Sequence, residues 1–170
     1  MSNSGLYSSV KSAFESAGWA FAEIPDQEVI RAGFEAHHTR VDLHVQAFEK
    51  LTTISVVSES PNETSDPAKR ERLAELAMRV NQTLTVGNFE MDWEAGRLMF
   101  RLSNIFSTSK GDLSIIQGLI HNTVGEMDRI APLESMIFQC DGPSLAALDL
   151  RSLMERDDLL PPVESGDSAT

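Results

Sequence analysis

Asn81 to Phe106, NQTLTVGNFEMDWEAGRLMFRLSNIF, is the stretch that decides the fold. It reads as a helix end, a strand, a turn and a return strand. Phe89, Met91 and Trp93 share one face of the first strand, and Asn88, Glu90 and Asp92 share the other. That two-residue alternation belongs to a half-buried strand. On the return, Leu98, Phe100 and Leu102 alternate with Arg97, Met99 and Arg101. Matching the apolar faces pairs Trp93 with Leu98, Met91 with Phe100 and Phe89 with Leu102. The same register sets Glu90 opposite Arg101 and Glu94 opposite Arg97, each pair adding roughly 0.2–1 kcal/mol. Gly96 also suits a three-residue turn with a bulge, but that would set Met91 beside Met99 and Phe89 beside Arg101, so the even loop is preferred.

Three more strands are expected upstream. Ile30, Ala32, Phe34 and Ala36 share a face of the first, Val41, Leu43, Val45 and Ala47 of the second, and Ile54 and Val56 of the third. Pairing Phe34 with Leu43 leaves His37 to Arg40 as a loop. Pairing Val45 with Ile54 puts Glu49-Lys50 at a turn, and since that dipeptide is not a favoured tight turn, an irregular loop is expected. A one-residue slip would turn the apolar faces to water, so these faces are strongly specified.

Helices alternate with these strands. Leu6 to Ala17 carries the stripe Leu6, Val10, Ala13, Phe14 and Ala17, with Gly18 as its stop. Trp19 to Ile24 is expected to be extended. After the polar stretch Ser58 to Asp66, Asp66 caps a helix with Pro67 in its first turn. Leu73, Leu76, Ala77, Val80 and Leu84 form its buried stripe, and Glu75 and Arg79 make an i, i+4 pair on the other side. Asp112 caps a long helix with the stripe Ile116, Leu119, Ile120, Val124, Met127 and Ile130. Pro132 is expected to kink or break it, leaving Leu133, Met136 and Ile137 as a short continuation. Leu145, Leu148, Leu153 and Met154 mark a last amphipathic piece, and the acidic, Pro-containing end reads as disordered.

With 170 residues the chain suffices for one domain with a real core. Asp and Glu number 26 against 14 Lys and Arg, a formal net charge of −12, which opposes binding to nucleic acid. Lys69-Arg70-Glu71-Arg72, the densest basic cluster, is broken by an acid and reads as a solvated helix face. Cys140 is the only cysteine, so no intrachain disulfide forms and a free thiol in a reducing compartment is expected. No apolar run approaches the roughly 20 residues of a membrane span. The N-terminal residues lack the basic start and apolar run of a signal peptide. A cytoplasmic chain with no membrane partner is expected.

The order helix, three strands, helix, two strands, helix, with RLAELAMRVN (Arg72 to Asn81), GNFEMDWEAGRLMFR (Gly87 to Arg101) and MDRIAP (Met127 to Pro132), resembles the YbjN family of bacterial proteins. The resemblance covers roughly residues 5 to 140. It implies an α+β fold like that of type III secretion chaperones: a two-layer domain with a five-stranded antiparallel sheet, helices on one face (α-β3-α-β2-α), and a homodimer. It implies no catalytic residues and no cofactor, and a sensory or regulatory role. The chain is accordingly divided into a domain over 1–142, a helical extension over 143–156 and a disordered acidic tail over 157–170.

The residues that could carry chemistry have plainer readings. His37 and His38 fall in a turn and His44 on a polar strand face, without the partners that metal ligation uses, so no metal site is expected. His121 reads as a surface or boundary residue of the long helix. Cys140 has no signature of a base or an oxyanion site around it. Glu90 and Asp92 share a strand face as an acid/base pair would, but facing Arg101 and solvent is the commoner arrangement. No phosphate-cradling loop or nucleophile elbow is present.

Four apolar residues stand on the other side of this pattern. Phe48, Leu51, Val57 and Met99 lie opposite the helix-covered face, among Gln46, Thr53 and Arg101. A sheet covered on one side leaves its second face open, and apolar residues there mark a partner or dimer surface. The expected function is a non-enzymatic protein-binding or regulatory module, chaperone-like and homodimeric, with a protein partner the sequence does not name. It would act by strand addition at a sheet edge or by capture of a segment in a groove. The alternative is a small-molecule sensor or an enzyme with a site between sheet and helices, marked by a polar pocket holding His121 or Cys140. A third reading makes the C-terminal helix an arm docked on a neighbouring subunit.

Overall fold

The computed structural model describes residues 5–24, 26–156 and 158–159. In chain order the elements are α1 (Gly5–Ala17), β1 (Ala22–Glu23), β2 (Val29–Glu35), β3 (Arg40–Phe48), a 3-10 turn (Glu49–Leu51), β4 (Thr53–Glu59), α2 (Pro67–Asn81), β5 (Asn88–Asp92), β6 (Arg97–Ile105), α3 (Leu113–Gln139), α4 (Gly142–Ala146) and α5 (Leu150–Met154). One sheet runs β1-β2-β3-β4-β6-β5, and every neighbouring pair is antiparallel. It has six strands, not five, because the extended segment after α1 folds back far enough to pair Ala22 with Arg31 and Glu23 with Ile30.

The helix starts follow local chemistry. Asp66 accepts the Ala68 N–H at 2.9 Å, with Pro67 at the first helical position of α2. Asp112 accepts the N–H groups of Ser114 and Ile115 to start α3. Gly18 ends α1 in the left-handed region, φ 69°. Pro132 does not break α3, which runs through it for 27 residues. Its missing amide forfeits one backbone bond, but Ile130, Leu133 and Ile137 on either side are fully buried, and that packing carries the helix across.

The strand faces agree with the alternation, whereas the registers do not. Phe34 pairs with Val41 rather than Leu43, Val45 with Val56 rather than Ile54, and Phe89 with Phe100 rather than Leu102. Each pairing is displaced by two residues, which keeps every side chain on its expected face. All three hairpins close through residues 36–39, 49–52 and 93–96. In the last of these the Gly96 N–H bonds the Asp92 carbonyl at 2.8 Å, and the Ala95 N–H bonds the Asp92 side chain. Gly96 has φ 67°, and a Cβ there would overlap the Thr64 carbonyl, so only glycine fits. The turn lifts Trp93 off the apolar face expected for it, and Trp93 is 50% exposed.

The helices and the inward residues of the sheet bury one core. It joins Leu6, Val10 and Phe14 of α1, Leu73, Leu76 and Val80 of α2, and Ile116, Ile120 and Ile130 of α3 to Val45, Val56, Phe89 and Phe100. Phe14 meets Trp19 and Phe21 with ring centroids 5.6 and 5.4 Å apart. Two buried apolar residues, Val29 and Val57, stand outside this core, on the opposite face. The short C-terminal helices pack on their own chain: Leu145 and Leu150 join the core, the Lys69 ammonium binds the Phe138 carbonyl at 2.8 Å, and Arg72 binds the Leu148 carbonyl. Apart from Asp158 and Leu159, the tail expected from residue 157 lies outside the described residues.

Candidate functional site

The helix-free face of the sheet is built from the odd members of β2, the even members of β3, and the odd members of β4 and β6. By register, Arg31, His44, Val57 and Arg101 form one row across it, and Phe48, Thr53 and Ile105 another. The second row sits at the end of the sheet where the 3-10 turn and the loop after β6 meet, tied by the Phe106 N–H bonding the Thr52 carbonyl at 2.8 Å.

The four apolar residues singled out in the sequence do not form one cluster. Phe48 and Leu51 stand at that end, 37% and 66% exposed. Val57 lies on the open face but is only 4% exposed, flush between His44 and Arg101, and offers little area. Met99, half-buried, belongs nearer the other end, opposite Glu59 and Glu90. Sequence reasoning passed over Ile105, which is 76% exposed in the same row as Phe48. The alternation Arg97, Met99, Arg101, Ser103, Ile105 carries the signal that would have found it.

Charges occupy the rest of this face. Arg101 grips Glu90 through two hydrogen bonds of 2.8 and 3.0 Å, reaching diagonally because Asn88 is its direct partner. Those bonds hold the Glu90 carboxyl below its usual range. Arg97 lies between Glu59 and Glu63 at 3.1 and 2.7 Å, and Arg40 between Glu35 and Asp42 at 2.7 and 3.2 Å. Burial lowers the pKa of His44, and Arg31 and Arg101 add to the shift against the opposing pull of Glu59. Where β4 ends at Glu59 and β3 runs on to Arg40, a groove of about 590 Å³ opens, lined among others by Arg31, Arg40, Arg97, His44, Asp42 and Glu59.

The β5 edge of the sheet is clasped at Phe89. The Asn81 carboxamide accepts the Phe89 N–H at 2.7 Å and donates to the Phe89 carbonyl at 3.0 Å. These are the groups a further strand would use at that position. The other edge, β1, is two residues long.

The remaining candidates sit elsewhere. Asp128 of α3 accepts the amides of His38 and Thr39 at 2.6 and 3.0 Å and contacts the His38 ring at 3.2 Å. Burial raises its pKa, but the two amides and the imidazole together bring it below the usual value. Beside them a cavity of about 250 Å³ is lined by His38, Asn62, Pro132 and Glu134 among others. Glu134 is 4% exposed, and burial pushes its carboxyl up against the hydrogen bonds of Ser60 and Asn62. His121 packs its ring edge on Trp19, 5.0 Å between centroids, and Cys140 is the C-terminal cap of α3. Neither lines this cavity or the groove. No helix among the described residues is long and apolar enough to cross a membrane.

A two-layer α+β domain with one uncovered sheet face defines a class, and the comparisons narrow it. The model of the YbjN family, described as "putative bacterial sensory transduction regulator", matches residues 7–114, and the chain belongs to that family. The crystal structure of YbjN from E. coli, described as a putative transcription regulator, superposes with a TM-score of 0.58 at 13% identity, covering 78% of this chain and 92% of that one. That likeness shows the fold. The HopA1–SchA chaperone–effector complex has a TM-score of 0.48 at 11% identity, over 72% of this chain and 88% of that one, too low to carry an argument. No curated protein matches the chain.

Proposed function

We propose that this YbjN-family protein is a non-enzymatic, regulatory protein-binding module that acts as a homodimer and holds partner segments in a chaperone-like manner. The observation that carries the reading is the uncovered sheet face with Phe48, Leu51 and Ile105 exposed at one end. Met99 lies further along the same face and Val57 at its flush centre. Exposed apolar side chains gathered at one end of an uncovered sheet mark a contact surface rather than a solvated one. The family description as a regulator supports the same reading.

Of the two mechanisms, groove capture is favoured over strand addition, because Asn81 occupies the backbone groups of Phe89 and β1 is too short to template a strand. The alternative, a small-molecule site between the layers, would use a cavity such as the one beside Glu134. Sedimentation velocity on the wild type and on Phe48→Asp and Ile105→Asp tests the proposal. A dimer that both substitutions convert to monomer with unchanged circular dichroism is expected. A monomeric wild type, or a dimer indifferent to both changes, overturns it.

A further inference from the structure

We propose that the groove at the end of β4 recognises the carboxylates of an acidic, extended peptide segment, with Arg31 as the residue that meets the carboxylate. This rests on the reading that the open face binds polypeptide and specifies what kind.

Arg31 stands apart from the other arginines of this face. Arg40, Arg97 and Arg101 each hold at least one acid, whereas Arg31 makes no ion pair or hydrogen bond among the described residues. Its cross-strand neighbour is His44, and the next residues in the row are Val57 and Arg101. Burial keeps His44 from taking a proton easily, so it presents a neutral ring rather than a competing cation. The β2 end of the row therefore holds a guanidinium with no acid of its own among the described residues, separated from the flush Val57 by His44. Gly33 lines the groove two positions further along β2. A Cβ at this position would collide with the ends of the Arg40 and Asp42 side chains, so the glycine leaves them room to lie across the sheet.

Charge complementarity selects the occupant. The groove lining carries Arg31, Arg40 and Arg97 against Asp42 and Glu59, and Glu35 and Glu63 engage Arg40 and Arg97 as well, so Arg31 is the cation left for a ligand. A carboxylate can take Arg31 in the forked, two-bond geometry of guanidinium recognition without displacing any resident acid. A second carboxylate further along the segment can share Arg40 or Arg97. The Arg40 pair is exposed and of the kind that exchanges partners at little cost, whereas Arg97 is seated more deeply. A cationic segment meets the unpaired Arg31 and is repelled. A groove of about 590 Å³, open along one side, admits a run of peptide side chains rather than enclosing a small molecule.

Fluorescence anisotropy of the full chain with a labelled peptide of alternating Asp and Gly, and with its Asn counterpart, tests this. Saturable binding of the Asp peptide that weakens with salt is expected, with none for the Asn peptide. Arg31→Gln should weaken binding about tenfold or more, and Arg31→Lys should recover part of it. Inorganic phosphate competing at lower concentration than the Asp peptide would assign the groove to a small anion and overturn the peptide assignment. Absent binding, or affinity indifferent to Arg31→Gln in a variant of unchanged melting temperature, overturns it as well. Sedimentation of the Phe48 and Ile105 variants scores the dimer reading and peptide anisotropy at Arg31 scores this one, so a failure of either gives a different result.

Discussion

Replacing Glu134 by Gln should make the protein more stable at neutral and alkaline pH. The side chain projects from α3 into a site where it is 4% exposed, with the Ser60 hydroxyl and the Asn62 amide (3.4 Å) as hydrogen-bond partners and one oxygen, Oε1, without a partner among the described residues. Burial raises the carboxyl pKa above its ordinary value of 4.5 in the folded state. The folded protein therefore holds this proton more tightly than the unfolded chain. The stability that the group contributes is complete below the unfolded value and is lost as pH climbs through the raised one. Above that range the ionised carboxylate is a buried charge with weak hydrogen-bonding support. A buried polar atom without a partner costs about 1–3 kcal/mol. Glutamine keeps an oxygen for the Asn62 amide and removes the charge, while its amide nitrogen takes the place of the unpartnered oxygen, so a net gain of about 1 kcal/mol at pH 8 is expected, or about 2–4 °C in melting temperature for a chain of this size. Differential scanning calorimetry of both proteins from pH 4.5 to 8 reads this. The two curves should converge at the acid end and separate as pH rises. A difference that stays constant across that range, or a less stable variant at pH 8, would refute the account of Glu134 as a strained buried acid.

Asn81→Ala should cost about 1–3 kcal/mol, since it removes both hydrogen bonds to Phe89, and should open the β5 edge to pairing between molecules. Urea denaturation would read the first effect and concentration-dependent light scattering the second; a variant matching the wild type in both would show that the clasp does nothing. Tyr7 is the only tyrosine, so its ionisation can be followed directly by absorbance near 295 nm. Burial, together with its hydrogen bond to Glu23 at 2.8 Å, raises its pKa to about 12, and pH-jump measurements faster than alkaline unfolding should find the midpoint there. A midpoint near 10 would mean that the buried Tyr7–Glu23 hydrogen bond does not form.

Several features of this protein were open to reading from residue order, because they depend on groups close together in the chain. The caps Asp66 and Asp112 bond amides two or three residues away. The Glu75–Arg79 pair closes within one helical turn, at 2.7 Å. The candidate face was legible by parity, and Ile105 continues a pattern already visible in Met99 and Arg101. The exposures along it were not, since Val57 and Phe48 stand on the same face and differ in what their neighbours cover.

Strand faces were determined by the sequence, because alternation has a period of two and is unchanged when a pairing shifts by two residues. That same invariance left the registers to the tertiary structure. The 36–39 turn is held by Asp128, 90 residues downstream of His38, and the 93–96 turn by Thr64 and Arg70, whose Nη2 binds the Glu94 carbonyl at 3.1 Å. From sequence Pro132 is expected to kink or break the helix because local rules see its missing amide and not the buried neighbours that hold α3 together. The Asn81 clasp, the buried Glu134 and the unpaired Arg31 belong to the same class. Each is defined by what lies across space from a side chain, and only the folded chain brings those groups into reach.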